Sequence, residues 1–527
     1  MTTGGWWLGT AVPVLVLLLL ARALWAAAAV ELSARWLLTR PRCSMPRPIE
    51  VPWLVVLLPM LREQAVAEQA IAAFTALDYP HGQAAVVAIT TEREDHARTT
   101  ARTRLPQLAG KRQLSAAELH GLFPAARCQR VADLINAVPL HEKLDRLTRL
   151  FDAEPTTAQV IATLRQPGHG ALPLVHLHQP AVGGRKAGQL NHAVEHLDQV
   201  LGPLGWNEAE HGDATYVIVY DADALPDART LEAFATAAHE HRAAGGRWPA
   251  LVQQQRLPLL ARRPFPAGPL GLVLTEEWVY QLRRSLGIEL ARVRLYAWLS
   301  RSPLPEVLRM WLRPMVYGVG CGMAVHLPAV RTLGGFPEPM EDLGCGHRLS
   351  LLGADLTACP ALVLDEPYTE PRGLTNLHAL AFSASARPDR HAKAVIHQPG
   401  RLTAAARLLL MAREWADEAA WLLGAPLFAA SVVSAWWAGP AWAVLAAAGV
   451  LLHGPLLTTR LLALAPALHA GLTPPEGTDP PRRIAPVSPA SLIAASPIQP
   501  FIRLAGPWRL LWRRTAGRHY DFGKTER

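Results

Sequence analysis

Two carboxylates one residue apart, Asp221 and Asp223, follow the apolar run Ala214 to Val219 and precede a helix-forming run that starts at Asp227. Oxygen ligands at this spacing suit a hard divalent cation, Mg2+ or Mn2+, which keeps coordination places for substrate phosphates. In open α/β sheets, ligands gather beyond the carboxyl ends of the strands. A turn with two solvated Asp side chains is the competing reading of an isolated pair. Two further stretches bear on the choice. Gly183-Gly184-Arg185-Lys186-Ala187-Gly188-Gln189-Leu190-Asn191 leads into a helical pattern. Its glycines let backbone approach a phosphate, the helix N-terminus favours anions, and Lys186 adds a compact positive charge. Met340-Glu341-Asp342-Leu343-Gly344 supplies an acidic pair that can accept a proton from a hydroxyl or cap the helix that follows.

These residues need a scaffold. Between 51 and about 400, β-like runs (53–58, 84–90, 172–177, 214–220, 250–255, 316–325, 356–364) alternate with helical ones (63–77, 186–197, 228–241, 274–298). Such alternation predicts an α/β domain with a mainly parallel sheet and helices on both faces. Residues 94–168 are polar and helical in pattern and read as an insertion. His176 and His178 share one strand face and read as structural.

The flanks are apolar. Trp6 to Val30 is interrupted only by Arg22, and bridging a bilayer takes about 20 apolar residues. A cleaved signal peptide would carry a positive residue ahead of this run, and none is present. Residues 419–459 contain no Asp, Glu, Lys or Arg, and Gly439-Pro440 breaks the stretch into two helix lengths. Residues 402–415 suit a helix in the membrane interface. Arg35, Arg40, Arg42 and Arg47 follow the first span, and Arg401, Arg407, Arg413, Arg460, Arg482 and Arg483 flank the pair, which by the positive-inside tendency puts the central domain in the cytoplasm. The expected organisation is an anchor and linker over 1–50, a cytoplasmic domain over 51–400, an interfacial helix over 401–418, a transmembrane hairpin over 419–472 and a loop and tail over 473–527. The membrane is expected to be the inner cell membrane, crossed several times.

Half of the 527 residues are hydrophobic and the net charge is +9. Without a Lys/Arg run or an aromatic-interleaved basic patch, the charge does not point to nucleic acid. The five cysteines are scattered and odd in number, which argues against a disulfide framework or zinc site.

The order of the motifs resembles that of membrane-bound family-2 glycosyltransferases, the group of cellulose and hyaluronan synthases, over about residues 50 to 402. The resemblance implies a GT-A fold and roles for particular residues. Pro59 and Glu63, in Leu57-Leu58-Pro59-Met60-Leu61-Arg62-Glu63, would lie beside the donor nucleotide. Thr91 or Glu92 would replace the Asp that similar proteins carry there, and Lys186 and Asp221 would hold the diphosphate. Asp221 and Asp223 would bind the metal. Asp342, with Glu341 alongside, would be the catalytic base. Gln398 and Arg401, in Gln398-Pro399-Gly400-Arg401-Leu402, match the family's Gln-x-x-Arg and would hold acceptor and diphosphate, although Leu402 stands where relatives have Trp. Apart from the resemblance, Gln253-Gln254-Gln255-Arg256 ends a β-like run, where Gln255 would line an acceptor cleft or form a solvated edge. The implied partners are a nucleotide-diphosphate sugar, a UDP-sugar first among them, a saccharide or lipid-linked acceptor, and membrane lipids. Single transfer to a polyprenyl phosphate, and a non-catalytic scaffold or nucleotide sensor, are the rival readings.

Overall fold

A computed structural model describes residues 4–39, 51–79, 82–164, 172–258, 268–367, 370–475 and 488–518. Arg40, Arg42, Arg47, Arg482 and Arg483, most of the proline-rich 474–489 stretch and the 519–527 tail lie outside these.

Eight strands form one sheet: β1 (Trp53–Pro59), β2 (Ala84–Thr91), β3 (Leu174–Gln179), β4 (Thr215–Val219), β5 (Leu225–Pro226), β6 (Leu251–Leu257), β7 (Met323–His326) and β8 (Leu356–Leu364). Their spatial order is β3-β2-β1-β4-β7-β6-β8-β5. Both faces of the central strands are covered. In β1, Trp53, Val55 and Leu57 enter one apolar core while Leu54, Val56 and Leu58 enter the other, the period-two alternation of a strand with helices on both sides.

The sheet is mixed, which corrects the expectation of a mainly parallel one. Strands β1 to β4 run parallel, and β6 runs parallel to β8. Strand β7 is antiparallel to both β4 and β6, and β5 is antiparallel to β8. The reversal has a local cause. Glycines at 318, 320 and 322 stop the run 316–325 from forming one strand, and pairing begins only at Met323. Gly322, at φ +77°, turns the chain so that its N–H reaches Val219 O (2.9 Å) while its carbonyl accepts from Gln254 N (2.8 Å). The glycine loop therefore meets the carboxyl end of β4.

Between β2 and β3, helices Glu92–Arg102, Leu105–Ala109, Ala125–Asn136 and Lys143–Asp152 enclose a separate core that includes Leu105, Val131 and Phe151, while Thr157–Leu164 packs Ile161 against a core of the main sheet. Among the described residues, three helices are long and apolar enough to cross a membrane: Ala11–Thr39, Ala404–Ala438 and Pro440–Ala470. The break between the last two falls at Gly439, which adopts φ +123°. Residues 402–415 are not a separate helix. Thr403 caps a helix that continues unbroken to Ala438, because no glycine or proline interrupts it before Gly424. A segment of three helical pieces, Gly268–Arg284, Ser285–Leu290 and Ala291–Arg301, joins the domain to the first membrane helix. Its Gly287 lies so close to that helix that a Cβ there would come within 3.0 Å of Val30 Cγ2. Arg294 donates to Leu32 O (2.9 Å) and stacks on Trp36.

Candidate active site

Four chemistry-bearing side chains converge at the carboxyl end of β4. Lys186 is the second residue of helix Arg185–Glu195, whose N-cap is Gly184 in the left-handed region at φ +85°. Its Nζ donates to Asp221 Oδ1 (2.9 Å) and pairs with Glu341 Oε1 (2.8 Å). It also reaches Gly320 O at 3.4 Å. Asp342 Oδ2 accepts from Gly320 N (2.8 Å), and Oδ1 accepts from Leu343 N (2.7 Å) in the first turn of helix Glu341–Leu352. Gly320 is the hub: a Cβ there would lie 2.9 Å from Asp342 Oδ2, 3.1 Å from Lys186 Nζ and 3.2 Å from Glu341 Oε1.

The electrostatics follow from crowding three carboxylates around one cation. Burial works against the charge on Lys186, but Asp221, Glu341 and Asp342 outweigh it and raise its pKa above the ordinary lysine value. Burial pushes Glu341 up, Lys186 opposes this, and Asp342 adds to it; the direction is upward. Asp365, directly after β8, is raised first by burial; Arg256 pulls it down through a 2.8 Å contact and the negative charge of Asp221 pushes it up.

Asp221 and the buried Asp223 are hard oxygen donors of the kind a divalent cation takes, and Asp365 is near enough to Asp221 to feel its charge. Asp221 and Asp223 would hold the ion, whose charge would relieve the repulsion felt by Asp365.

The other expected residues are distributed as follows. Pro59 ends β1, and Met60 N continues the pairing to Ile89 O (2.8 Å). Glu63 is half-buried in the following loop, its N–H bonded to Thr157 Oγ1 (3.0 Å). Thr91 is buried, and its hydroxyl is engaged by the protein: it accepts from Arg93 N and donates to Ala181 O, both at 3.3 Å. That leaves exposed Glu92, 3.3 Å from His178 Nε2, as the member of the pair with oxygens facing outward.

Gln255 does not line an open cleft. It is buried, and its Nε2 bonds to Arg256 O and Glu289 Oε2. A register shift in β6 between Gln254 and Gln255 gives these neighbours different surroundings. Gln253 instead holds the glycine loop, accepting from Val319 N and donating to Val319 O and Gly322 O.

Arg401 is separated from the cluster. Its N–H bonds to Leu352 O (2.8 Å), at the far end of the 12-residue helix that begins with Glu341. That helix is about 18 Å long. Its guanidinium pairs with Asp355 (2.8 Å) ahead of β8, whereas Asp365 beside the site follows the strand. The Gln-x-x-Arg match thus lies at the opposite end of that helix from Glu341 and Asp342, and half-buried Gln398 lies three residues before Arg401.

Two residues at the site escaped sequence reading. Asp365 had a usable signal, since it follows a strand as Asp221 does. Glu94 had none. It is buried and accepts from Arg62 N, Gln64 Nε2 and Thr157 N, which ties the helical insertion to the loop after β1.

No family model and no curated protein matches this chain. Among solved structures it is similar to a mannosyltransferase of Pyrobaculum calidifontis in complex with GDP-Man and Mn2+, at 15% identity and TM-score 0.40, covering 95% of this chain and 99% of that one. It is also similar to residues 1–349 of S. aureus TarS in complex with UDP-GlcNAc, at 10% identity and TM-score 0.32, covering 89% and 93%.

Proposed function

We propose that this chain is a membrane-bound glycosyltransferase of the GT-A type, moving a sugar from a nucleotide-diphosphate donor to an acceptor hydroxyl with inversion at the anomeric carbon. The observation that carries the reading is the meeting of Lys186, Asp221, Glu341 and Asp342 around Gly320, from segments 35 to 156 residues apart. Lys186 holds the donor diphosphate, exchanging one of its carboxylate contacts for phosphate oxygens. A Mg2+ or Mn2+ ion on Asp221 and Asp223 would neutralise charge on the departing nucleotide diphosphate. Asp342, aimed by the Gly320 and Leu343 N–H groups, takes the proton of the acceptor hydroxyl as its oxygen attacks the anomeric carbon. The bond to the diphosphate breaks with its electron pair, and no covalent sugar–enzyme intermediate forms. Glu341 keeps Lys186 in place. Glu63, in the loop after β1, and Glu92, the first residue of the helix after β2, would flank the base and ribose. The catalytic domain faces the cytoplasm, where nucleotide sugars are made.

The test is incubation of the membrane-embedded chain with labelled UDP- and GDP-sugars plus Mg2+ or Mn2+. Wild type should transfer label, chelation should stop it, and Asp342→Asn should lower the rate about 10²–10⁴-fold while donor binding persists. Donor binding without metal-dependent transfer in the wild type would favour a nucleotide sensor instead.

A further inference from the structure

Helix Arg185–Glu195 carries Lys186 in its first turn and Asn191 in its middle, and both serve the site already described. Asn191 clamps the loop that leads to the acidic pair, accepting from Phe336 N (2.6 Å) and donating to Phe336 O (3.0 Å). The opposite end of the same helix holds a second group of chemistry-bearing side chains. His192, Glu195 and His196 fall at i, i+3 and i+4, a spacing that brings three side chains to one face. Their ligand atoms all lie within 4.8 Å of one another. From Lys186 to His192 the helix rises about 9 Å and makes more than one and a half turns, so the two groups are separate.

Local geometry leaves one nitrogen available on each ring. The helix ends at Glu195, and His196 leaves it at φ −112° and ψ 20°. Its Nδ1 lies 2.8 Å from His192 O. A carbonyl only accepts, so Nδ1 carries a proton and, in the neutral ring, Nε2 keeps its lone pair. His192 is bonded in turn to the backbone of His178 in β3, the edge strand of the sheet. The two ring centroids are 4.2 Å apart, with the planes at 46°. A histidine that only capped the helix would need no second ring against it. Metal-ligating histidines hold their other ring nitrogen on a carbonyl or carboxylate, which fixes tautomer and aim, and both rings follow that pattern. Glu195 is exposed beside them and can turn in as a third ligand. Bonds of about 2.0–2.1 Å to a tetrahedral ion set the ligand atoms about 3.3–3.4 Å apart, so small side-chain rotations close the set.

The geometry points to a second cation site, made by His192, Glu195 and His196 and taking an ion of the Zn2+ class. Two imidazoles and one carboxylate suit such a borderline ion, whereas the oxygen-only pair Asp221 and Asp223 suits Mg2+ or Mn2+. Water takes the fourth position. Bound there, the ion staples the last turn of the helix whose first turn carries Lys186 and whose middle carries the Asn191 clamp. The site needs no cysteine, and it stands whether or not the chain transfers sugars.

The test uses the full-length chain in detergent, stripped of metal and titrated with Zn2+ or Co2+ in the presence of excess Mg2+, which fills oxygen-only sites. Wild type should retain one more Zn2+ per chain than His192→Gln with His196→Gln. Co2+ should give visible d–d bands in wild type that the double variant lacks. At a hundredfold excess over its Kd, Zn2+ should raise the wild-type Tm by about 3–4 °C and leave the double variant unmoved. Glu195→Gln, at an exposed position where the fold is not at risk, should weaken Zn2+ binding at least tenfold. Two comparisons should leave Zn2+ retention intact: Asp221→Asn with Asp223→Asn, and Glu92→Gln with Asp95→Asn, which strips the carboxylates of the acidic group near His178. No Zn2+ retained by wild type, equal retention by the double histidine variant, or loss in either comparison instead would each overturn the site. Zinc binding in the expected pattern without nucleotide-sugar binding would leave this site standing and sink the donor reading.

Discussion

Replacing Lys186 with Met removes the one cation that holds three carboxylates together, so its effect should depend on pH. At an effective dielectric of about 20, each contact at 2.9 and 2.8 Å represents about 6 kcal/mol of gross attraction, before desolvation is counted. Truncating one partner of a buried pair costs about 3–5 kcal/mol. The Lys186 side chain is 26% exposed, and solvent screening reduces the expected loss to about 2–3 kcal/mol. For a domain of about 350 residues that corresponds to a Tm drop of about 3–4 °C. The sign with pH follows from Glu341. Its pKa already lies above the ordinary carboxylate value, so its burial is tolerated when it is protonated and costs stability as pH rises through that raised value. Without Lys186 the pKa climbs further, and the penalty widens toward alkaline pH. Thermal unfolding of the detergent-solubilised chain at pH 5 and pH 8 reads this directly. The drop should be small at pH 5 and large at pH 8, with donor binding lost at both. An equal drop at the two values, or none at pH 8, would refute the idea that Lys186 neutralises a crowded acidic cluster.

Three further outcomes are expected. Gly320→Ala should lower transfer about 10–100-fold and cost about 1–3 kcal/mol of stability, because the added carbon crowds Asp342, Lys186 and Glu341 together; wild-type rates would show that the loop yields freely. Arg401→Gln should leave donor affinity unchanged and cost under about 1 kcal/mol, since its partner Asp355 is at the other end of the helix; a donor affinity reduced tenfold would put Arg401 back on the diphosphate. Glu276 is buried with both oxygens lacking hydrogen bonds, and burial pushes it up from 4.5 to about 7. Its folded-state preference for the proton favours folding below 4.5 and is lost as pH rises through 7. Glu276→Gln should therefore match wild type near pH 5 and gain about 1–3 kcal/mol at pH 8, read by denaturant unfolding; a gain at both values would point to another cause.

The parts of the site that lie on one continuous segment were readable in the sequence. Asp221 and Asp223 stand after an apolar run, Lys186 opens a helix behind two glycines, and Asp342 begins another. Each role depends on local rules about strand ends and helix starts. What was not readable depends on which distant segments meet. The reversal of β7 arises because Gly322 finds Val219 and Gln254, residues that no spacing connects to it. Arg401 carries the right charge after the right glutamine, yet nothing in its neighbourhood says which end of helix Glu341–Leu352 it meets. Glu94 looks like any acidic residue in the first turn of a helix, and only the fold shows three donors converging on it. Thr91 is the reverse case. Its type suits a nucleotide contact, but a helix start at Glu92 recruits the hydroxyl as a cap.

The close seating of Gly287 on Val30, with Arg294 gripping Leu32 O and Trp36 beside it, acts as a ruler. A domain hung on a loose tether would sample many altitudes above the bilayer. Under the proposed membrane setting, the first apolar helix and the segment packed against it would set a single standoff, so the reach from lipid surface to Asp342 would be built into the chain. Enlarging Gly287 would lengthen that reach, and the molecules affected first would be those delivered from the bilayer rather than those arriving from water.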